Sequence, residues 1–99
     1  MSLNETMARR QLAEIKRCAK QMQAVEKGLR RYGTALNQSW SAPETRYLSR
    51  VVEDLSGRSR KLTDRLNSLY RDMDEAIEDI LAEEAAEEAA AAAAERAGS

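Results

Sequence analysis

The sequence predicts an all-α fold: an antiparallel hairpin of two long helices that pairs with another hairpin into a four-helix bundle. Three observations predict it. Gly and Pro together occupy five of the 99 positions, which leaves few turn residues. Apolar residues recur at steps of three and four along two segments, the spacing of one helix face. Seventeen of the hydrophobic residues are Ala, so the large apolar side chains are few and a partner is expected to complete the core.

The first helix is predicted over residues of about 5–38, and Asn4 or Thr6 is suited to cap its start. Its apolar stripe follows the alternating three- and four-residue steps of a helix face. The stripe consists of Ile15, Cys18, Met22, Val25, Leu29, Tyr32 and Leu36. Within that stripe the single cysteine, Cys18, is expected to be a small buried hydrophobe.

A tight turn is predicted at residues 39–42. Ser41-Ala42-Pro43-Glu44 fits a capping box, in which the Ser and Glu side chains each bond the other's backbone N–H. Pro43 falls in the first helical turn, where a missing N–H costs nothing. Two roles are open for Trp40, the only Trp: plugging the end of the apolar seam, or helping to form a recognition surface.

The second helix is predicted over residues of about 43–82. Its stripe consists of Leu48, Val52, Leu55, Ser59, Leu62, Leu66, Leu69, Met73, Ala76 and Ile80. Ser59, beside Gly57, interrupts the apolar pattern and is expected to mark either a close approach of a partner helix or a hinge. The hairpin thus spans residues 1–82. Residues 83–99 are rich in Ala and Glu without an apolar face, so a frayed helix or a disordered tail is expected.

From these stripes we predict the core of the hairpin and its dimer. The predicted core residues are Ile15, Met22, Leu29, Leu36, Leu48, Val52, Leu55, Leu62, Leu66, Leu69, Met73 and Ile80. Apolar residues that flank the stripes are expected to stay exposed in a lone hairpin and to become buried in a dimer. These flanking residues are Leu12, Tyr47, Val51, Tyr70 and Ile77.

The charge distribution also favours an antiparallel hairpin. Residues 1–71 carry 15 Lys and Arg against 7 Asp and Glu, a net +8, whereas residues 72–99 carry one Arg against 10 acids, a net −9, and the two sum to −1. Folding at the turn brings the acidic segment that begins at Asp72 beside the basic segment that begins at Arg9. Such pairs are individually weak, but they disfavour a wrong register.

Composition argues against several classes of function. With no His and one Cys, a zinc cluster or a nucleophile–His pair cannot be assembled, so we expect neither an enzyme, a metal nor a cofactor. No apolar run is long enough for a membrane span, and no secretory signal peptide is evident. Nucleic-acid binding is not expected, because the basic residues are scattered around both helices and aromatic residues are only 4% of the chain.

A chain of about 100 residues with a Trp-containing turn near residue 40, two heptad stripes and a hairpin layout resembles the WXG100 (ESAT-6-like) family. The matching tripeptide is Trp40-Ser41-Ala42, with Ala where the family has Gly. The resemblance covers roughly residues 5–82. It implies a homodimer or a heterodimer with a paralogous hairpin, exported without a cleavable signal peptide by a type VII (ESX-like) secretion system. The family's Tyr-x-x-x-Asp/Glu export motif is matched by Tyr70 and Asp74, which can equally be a flanking residue and a surface acid.

The expected function is therefore that of a small secreted interaction protein, a substrate or escort of a type VII apparatus. A type VII export ATPase is a possible partner, and the chain would be cytoplasmic before export. The alternative is a cytoplasmic helical adaptor or chaperone-like bundle, whose composition would be nearly the same. A nucleic-acid-binding helical protein is the remaining alternative, suggested by the net positive charge of residues 1–71.

Overall fold

The computed structural model describes residues 3–39 and 43–98, which form two helices. Helix α1 spans Glu5–Ser39 and helix α2 spans Pro43–Gly98, and they lie side by side in opposite directions. The described residues contain no strand. The molecule measures 86 × 16 × 16 Å. The predicted all-α helical hairpin is confirmed, whereas the turn motif Trp40-Ser41-Ala42 lies outside the described residues.

Helix α1 begins with a side-chain cap. The Oδ1 atom of Asn4 accepts a hydrogen bond from the Met7 backbone N–H at 3.1 Å, which satisfies one of the free donors of the first turn. Just before it, the Leu3 backbone N–H donates to Glu84 Oε1 of α2 at 2.6 Å. Asn4 rather than Thr6 is thus the cap, and the start of α1 is tied to α2 at the open end of the hairpin.

Helix α2 continues to Gly98, through the segment that the sequence predicts to be a frayed helix or a disordered tail. Ala and Glu are strong helix formers, and neither Gly nor Pro interrupts residues 83–97. Residues 85–98 are exposed on every side. In the described structure the Ala/Glu-rich segment is therefore a helical extension that projects beyond the start of α1.

The two helices do not meet along the centres of their apolar stripes. The residues of α2 that face α1 include a row whose members are seven positions apart in the sequence. This inner row is turned about 50° around the helix axis from the nearer edge of the predicted stripe, the row that contains Val52. This inner row is Ser49, Ser56, Thr63, Tyr70 and Ile77. On α1 the corresponding row is Leu12, Ala19, Glu26 and Gly33. We call the contact zone between the helices the seam.

The predicted core divides into three groups. Val52 is buried, at 8% exposure. The half-buried group, along the edge of the seam, is Ile15, Met22, Leu29, Leu36, Leu66 and Met73. The exposed group, which does not belong to the core of the hairpin, is Leu48, Leu55, Leu62, Leu69 and Ile80. The reason is that two helices bury only the strip where they touch, and that strip lies to one side of the leucines.

Three expectations for single residues are wrong for the same reason. Leu12 and Ile77 were expected to stay exposed in a lone hairpin but are buried, at 3% and 6% exposure, because they lie on the seam. Cys18, expected to be buried, is exposed. The expectation for Tyr47 and Val51 is confirmed, since both are exposed, while Tyr70 is half-buried.

Small and polar side chains allow the helices to approach closely near the turn. A Cβ atom added to Gly33 would lie 3.2 Å from Val52 Cγ1, a tight contact that would require Val52 to move by a few tenths of an ångström. Four buried positions of α2 in this half carry hydroxyls: Thr45, Ser49, Ser56 and Thr63. Ser59 is half-buried among them. Near the turn the seam is therefore narrow, and it leaves Leu48, Leu55 and Leu62 exposed outside it.

Candidate interaction surface

The large apolar side chains that the seam leaves out form a continuous row on α2. Successive members lie seven residues apart, which keeps them on one side of the helix. This outer row is Leu48 (40% exposed), Leu55 (44%), Leu62 (43%) and Leu69 (45%). Val51 and Ile80 lie next to it and are 39% and 40% exposed. The outer row therefore presents nearly half of each leucine to solvent.

Helix α1 carries a matching outer row: Cys18, Val25 and Tyr32. On each helix an outer-row residue lies three positions after a residue at the edge of the seam, as Cys18 follows Ile15 and Leu55 follows Val52. An approximate twofold axis, perpendicular to the broad side of the hairpin, relates the two antiparallel helices. Rotating by the same angle and in the same sense about each helix axis therefore leads from the edge of the seam to the same broad side of the hairpin. Both outer rows thus lie on one side of the hairpin, which we call the apolar face.

The total surface is large for a chain of this size. The accessible area is 7856 Å², whereas a compact monomer of 11.1 kDa exposes about 5,700 Å². The radius of gyration is 23.6 Å, compared with about 13 Å for a compact domain of this length. A stable protein interface covers about 800 Å² of each partner. That area is about a tenth of the total surface of this chain.

The opposite side of the hairpin is polar, and at the open end it is held by ion pairs. Arg9 of α1 donates to Asp74 Oδ1 at 2.7 Å and to Glu78 Oε1, both on α2. The hydrogen bond to Glu78, and then the one to Asp74, raises the pKa of Arg9 above its usual value. The Nζ atom of Lys16 lies 5.0 Å from the centre of the Tyr70 ring, a cation–π contact. The predicted meeting of basic and acidic segments is confirmed at Arg9.

Near the middle of the seam a buried carboxylate links the helices. The Glu26 side chain is 10% exposed, and its Oε1 atom forms an ion pair with Arg30 at 2.7 Å and accepts a hydrogen bond from Arg60 of α2 at 3.2 Å. Closer to the turn, Ser49 Oγ donates to Asn37 Oδ1 at 2.7 Å. Glu26 and Gly33 were not predicted from the sequence as contacts. Both continue the seven-residue spacing of Leu12 and Ala19, so this spacing could have identified them.

The candidate export motif is engaged within the hairpin. Tyr70 is half-buried against Lys16, and Asp74 accepts from Arg9. Both contacts join α2 to α1 on the polar side near the open end. Each residue of the motif thus has a contact that stabilises the hairpin, in addition to any part in export.

Other kinds of site were sought in the described residues. Within residues 3–39 and 43–98, no group of three His, Cys, Asp or Glu side chains is arranged to hold a metal ion. Over the same residues, neither helix has a stretch apolar enough to cross a membrane. A groove of about 400 Å³ runs along the seam beside Arg30, Asn37 and Arg60, but these three side chains are already engaged, the two arginines with Glu26 and Asn37 with Ser49. The apolar face is therefore the strongest candidate for a functional surface.

Comparison with known proteins adds no assignment. No family model, no curated protein and no solved structure matches this chain.

Proposed function

We propose that this chain is a protein-interaction hairpin that pairs with another helical hairpin through its apolar face. The observation that carries the proposal is the outer row of α2, in which four leucines spaced by seven are each at least 40% exposed. Covering this row removes apolar area from water at about 25 cal/mol per Å², the main driving force of protein association. Two hairpins joined in this way form a four-helix bundle.

We further propose that the paired hairpin is a substrate or escort of a type VII secretion system, as the WXG100 resemblance implies. Three features support this proposal: the hairpin layout, the lack of any membrane-spanning helix among the described residues, and a helical extension beyond the hairpin. The extension is helical and exposed over residues 85–98, so an export ATPase could bind it without unfolding the hairpin. No catalytic step is part of this function.

An export assay in a cell that carries a type VII system tests the proposal. We expect the chain in the culture medium when the export ATPase is intact and only in the cells when it is inactivated. Deleting residues 83–99 should lower export while the hairpin keeps its helical signal. The substitution Tyr70→Phe keeps the ring against Lys16 and removes the hydroxyl. Export that does not depend on the ATPase, or that survives both changes, would contradict the secretion role.

A second candidate function is a helical adaptor that stays in the cytoplasm. The contacts of Tyr70 with Lys16 and of Asp74 with Arg9 favour it, because they give the candidate export motif a structural role. Fractionation of the native protein separates the two functions. An adaptor remains with the cells whether or not the ATPase is active, and it still pairs through the apolar face.

A further inference from the structure

The cations of α1 are gathered on one side of that helix. All eight of its Lys and Arg residues fall within an arc of about 100°, which begins about 40° from the inner row, on the side opposite the apolar face. The row of this arc nearest the seam holds Arg9, Lys16 and Arg30. The middle row holds Lys20 and Lys27, and the far row holds Arg10, Arg17 and Arg31. We call this surface the basic face.

No acidic residue of α1 lies on the basic face. Glu5 and Glu26 are in line with the inner row, and Glu14 lies on the other side of the helix. The basic residues of α1 are therefore not scattered around the helix, in contrast to the expectation from the sequence.

The structure brings part of the basic face together around a groove near the open end. The groove has a volume of about 480 Å³. Four cations line it, with no acid among the described lining residues: Arg9, Lys16, Arg17 and Lys20. The ring of Tyr70 borders it from α2.

Most cations of the basic face are not neutralised within the chain. Five of them are exposed and have no acidic partner among the described residues: Arg10, Lys16, Lys20, Lys27 and Arg31. Lys16 with Lys20, and Lys27 with Arg31, are like-charge pairs four positions apart, an arrangement that destabilises a helix. An anion bound along this face removes that repulsion, which favours a partner with many negative charges.

The residues between the cations narrow the class of partner. The largest apolar side chain on the basic face of α1 is alanine, at Ala13 and Ala24. The centre of a protein interface is poor in charge and rich in aromatic residues, and a helix that lies in a membrane surface needs large apolar residues beside its cations. Proteins that bind single-stranded nucleic acid stack its bases on aromatic side chains, which this face of α1 also lacks. A nucleic-acid duplex needs only cations for its phosphates.

The length of the basic face also fits a duplex. From Arg9 to Arg31 it extends about 33 Å at 1.5 Å per residue, close to the 34 Å or so of one turn of DNA. Helix α2 adds positive charge on the same side of the hairpin, at Arg46, Arg50, Arg60, Lys61 and Arg71. The acids of α2 on this side between residues 46 and 71 are fewer: Glu53, Asp54 and Asp64.

From these observations we propose that the basic face binds duplex DNA through its phosphates, without reading the base sequence. Recognition of double-stranded RNA also uses contacts to 2′-hydroxyl groups, whereas this face consists mainly of Lys, Arg and Ala, so DNA is the duplex assigned. The basic face and the apolar face lie on opposite sides of the hairpin. The proposal is therefore independent of the pairing of apolar faces, and a paired hairpin keeps its basic face open.

Fluorescence anisotropy of a labelled DNA duplex with the full chain, between about 50 and 200 mM salt, tests the proposal. If each of the five unpaired cations contacts one phosphate, the logarithm of the binding constant should fall with that of the salt concentration at a slope of about −4.5. Two duplexes of unrelated sequence should bind equally. No binding at about 50 mM salt, or a clear preference for one sequence, would overturn the proposal.

A matched pair of double variants locates the binding surface. Arg10→Glu with Arg31→Glu removes two unpaired cations while keeping helix propensity. The slope should become shallower by about 2, and binding at about 50 mM salt should weaken on the order of a hundredfold. The control is Arg58→Glu with Arg65→Glu, the same change in net charge on the side of α2 that is turned away from α1. Its slope should match that of the unmodified chain, and an equal loss in both variants would overturn the basic face as the site.

Three other polyanions complete the test. Binding to phosphatidylserine vesicles without binding to the duplex would overturn DNA as the partner and indicate a membrane surface instead. Tighter binding to single-stranded DNA, or to an RNA duplex of the same length, would also overturn it. Without DNA, the Arg10→Glu, Arg31→Glu variant should have the same mass in sedimentation equilibrium as the unmodified chain. A failure of DNA binding is thereby distinguished from a failure of the pairing through the apolar face.

Discussion

Leu62 lies in the middle of the outer row and is 43% exposed in the single chain. Complete burial of a leucine contributes about 1.5–3 kcal/mol, so covering the exposed part contributes about 0.6–1.3 kcal/mol. A symmetric dimer contains this residue twice, which gives about 1.3–2.6 kcal/mol. Because Leu and Ala have similar helix propensities, Leu62→Ala removes this contact while α2 stays helical. We expect the dimer Kd to rise about 10- to 80-fold.

Sedimentation equilibrium over a range of concentrations measures that Kd, and circular dichroism checks that the helical content is unchanged. Lys61→Ala is the matched control, because it shortens the neighbouring side chain on a part of α2 that faces away from the seam and the apolar face. Its Kd should equal that of the unmodified chain. If Leu62→Ala left the Kd unchanged as well, the outer row would not be the interface.

Five further substitutions, in two matched pairs and one single change, probe the seam, each by thermal unfolding at a fixed concentration. Gly57→Ala should raise the free energy of unfolding by about 1 kcal/mol through helix propensity, because the added Cβ has no atom within 4 Å. Gly33→Ala should give a smaller gain, because its Cβ would lie 3.2 Å from Val52. Equal gains would show that the helices do not approach at Gly33. Ser49→Ala should lower the free energy of unfolding by about 1 kcal/mol, because the hydrogen bond to Asn37 is lost. Ser56→Ala should lower it by less, because its buried hydroxyl has no partner among the described residues. A larger loss for Ser56→Ala than for Ser49→Ala would contradict this. Glu26→Leu should keep or raise the melting temperature, because both arginines bound to it are more than half exposed and return to water; a strong loss would mean that the ion pairs hold the hairpin together.

The sequence predicts the hairpin well, because apolar periodicity, capping residues and charge all report on local helix geometry. Helix α1 begins where its capping residue indicates, at Glu5 after Asn4. For residues 83–99 the sequence leaves two states open, a frayed helix or a disordered tail, and in the structure α2 continues to Gly98. A segment of Ala and Glu has no apolar face, so periodicity is silent there, yet the intrinsic helix propensity of these residues is high.

The face used by the seam was not predicted. A hydrophobic stripe shows which side of a helix avoids water, but not which of two neighbours covers it. Close packing of the two helices selects small side chains such as Ala19, Gly33 and Ser56 instead of the leucines. A stripe defined by apolar residues excludes the hydroxyl residues and Glu26. The contact between the helices was therefore predicted one row of residues away from where it lies. The same displacement exposes the outer row, which is why the candidate interaction surface became clear only in the structure.

In the proposed function a second hairpin covers the apolar face, and in a pure sample that hairpin can only be a second copy of the chain. Size-exclusion chromatography with light scattering, on the purified chain at micromolar concentration, tests it most directly. We expect a mass twice the 11.1 kDa of the single chain. On dilution, the Leu62→Ala variant should dissociate at a higher concentration than the unmodified protein. A mass of 11.1 kDa for the unmodified chain across the micromolar range would contradict the claim.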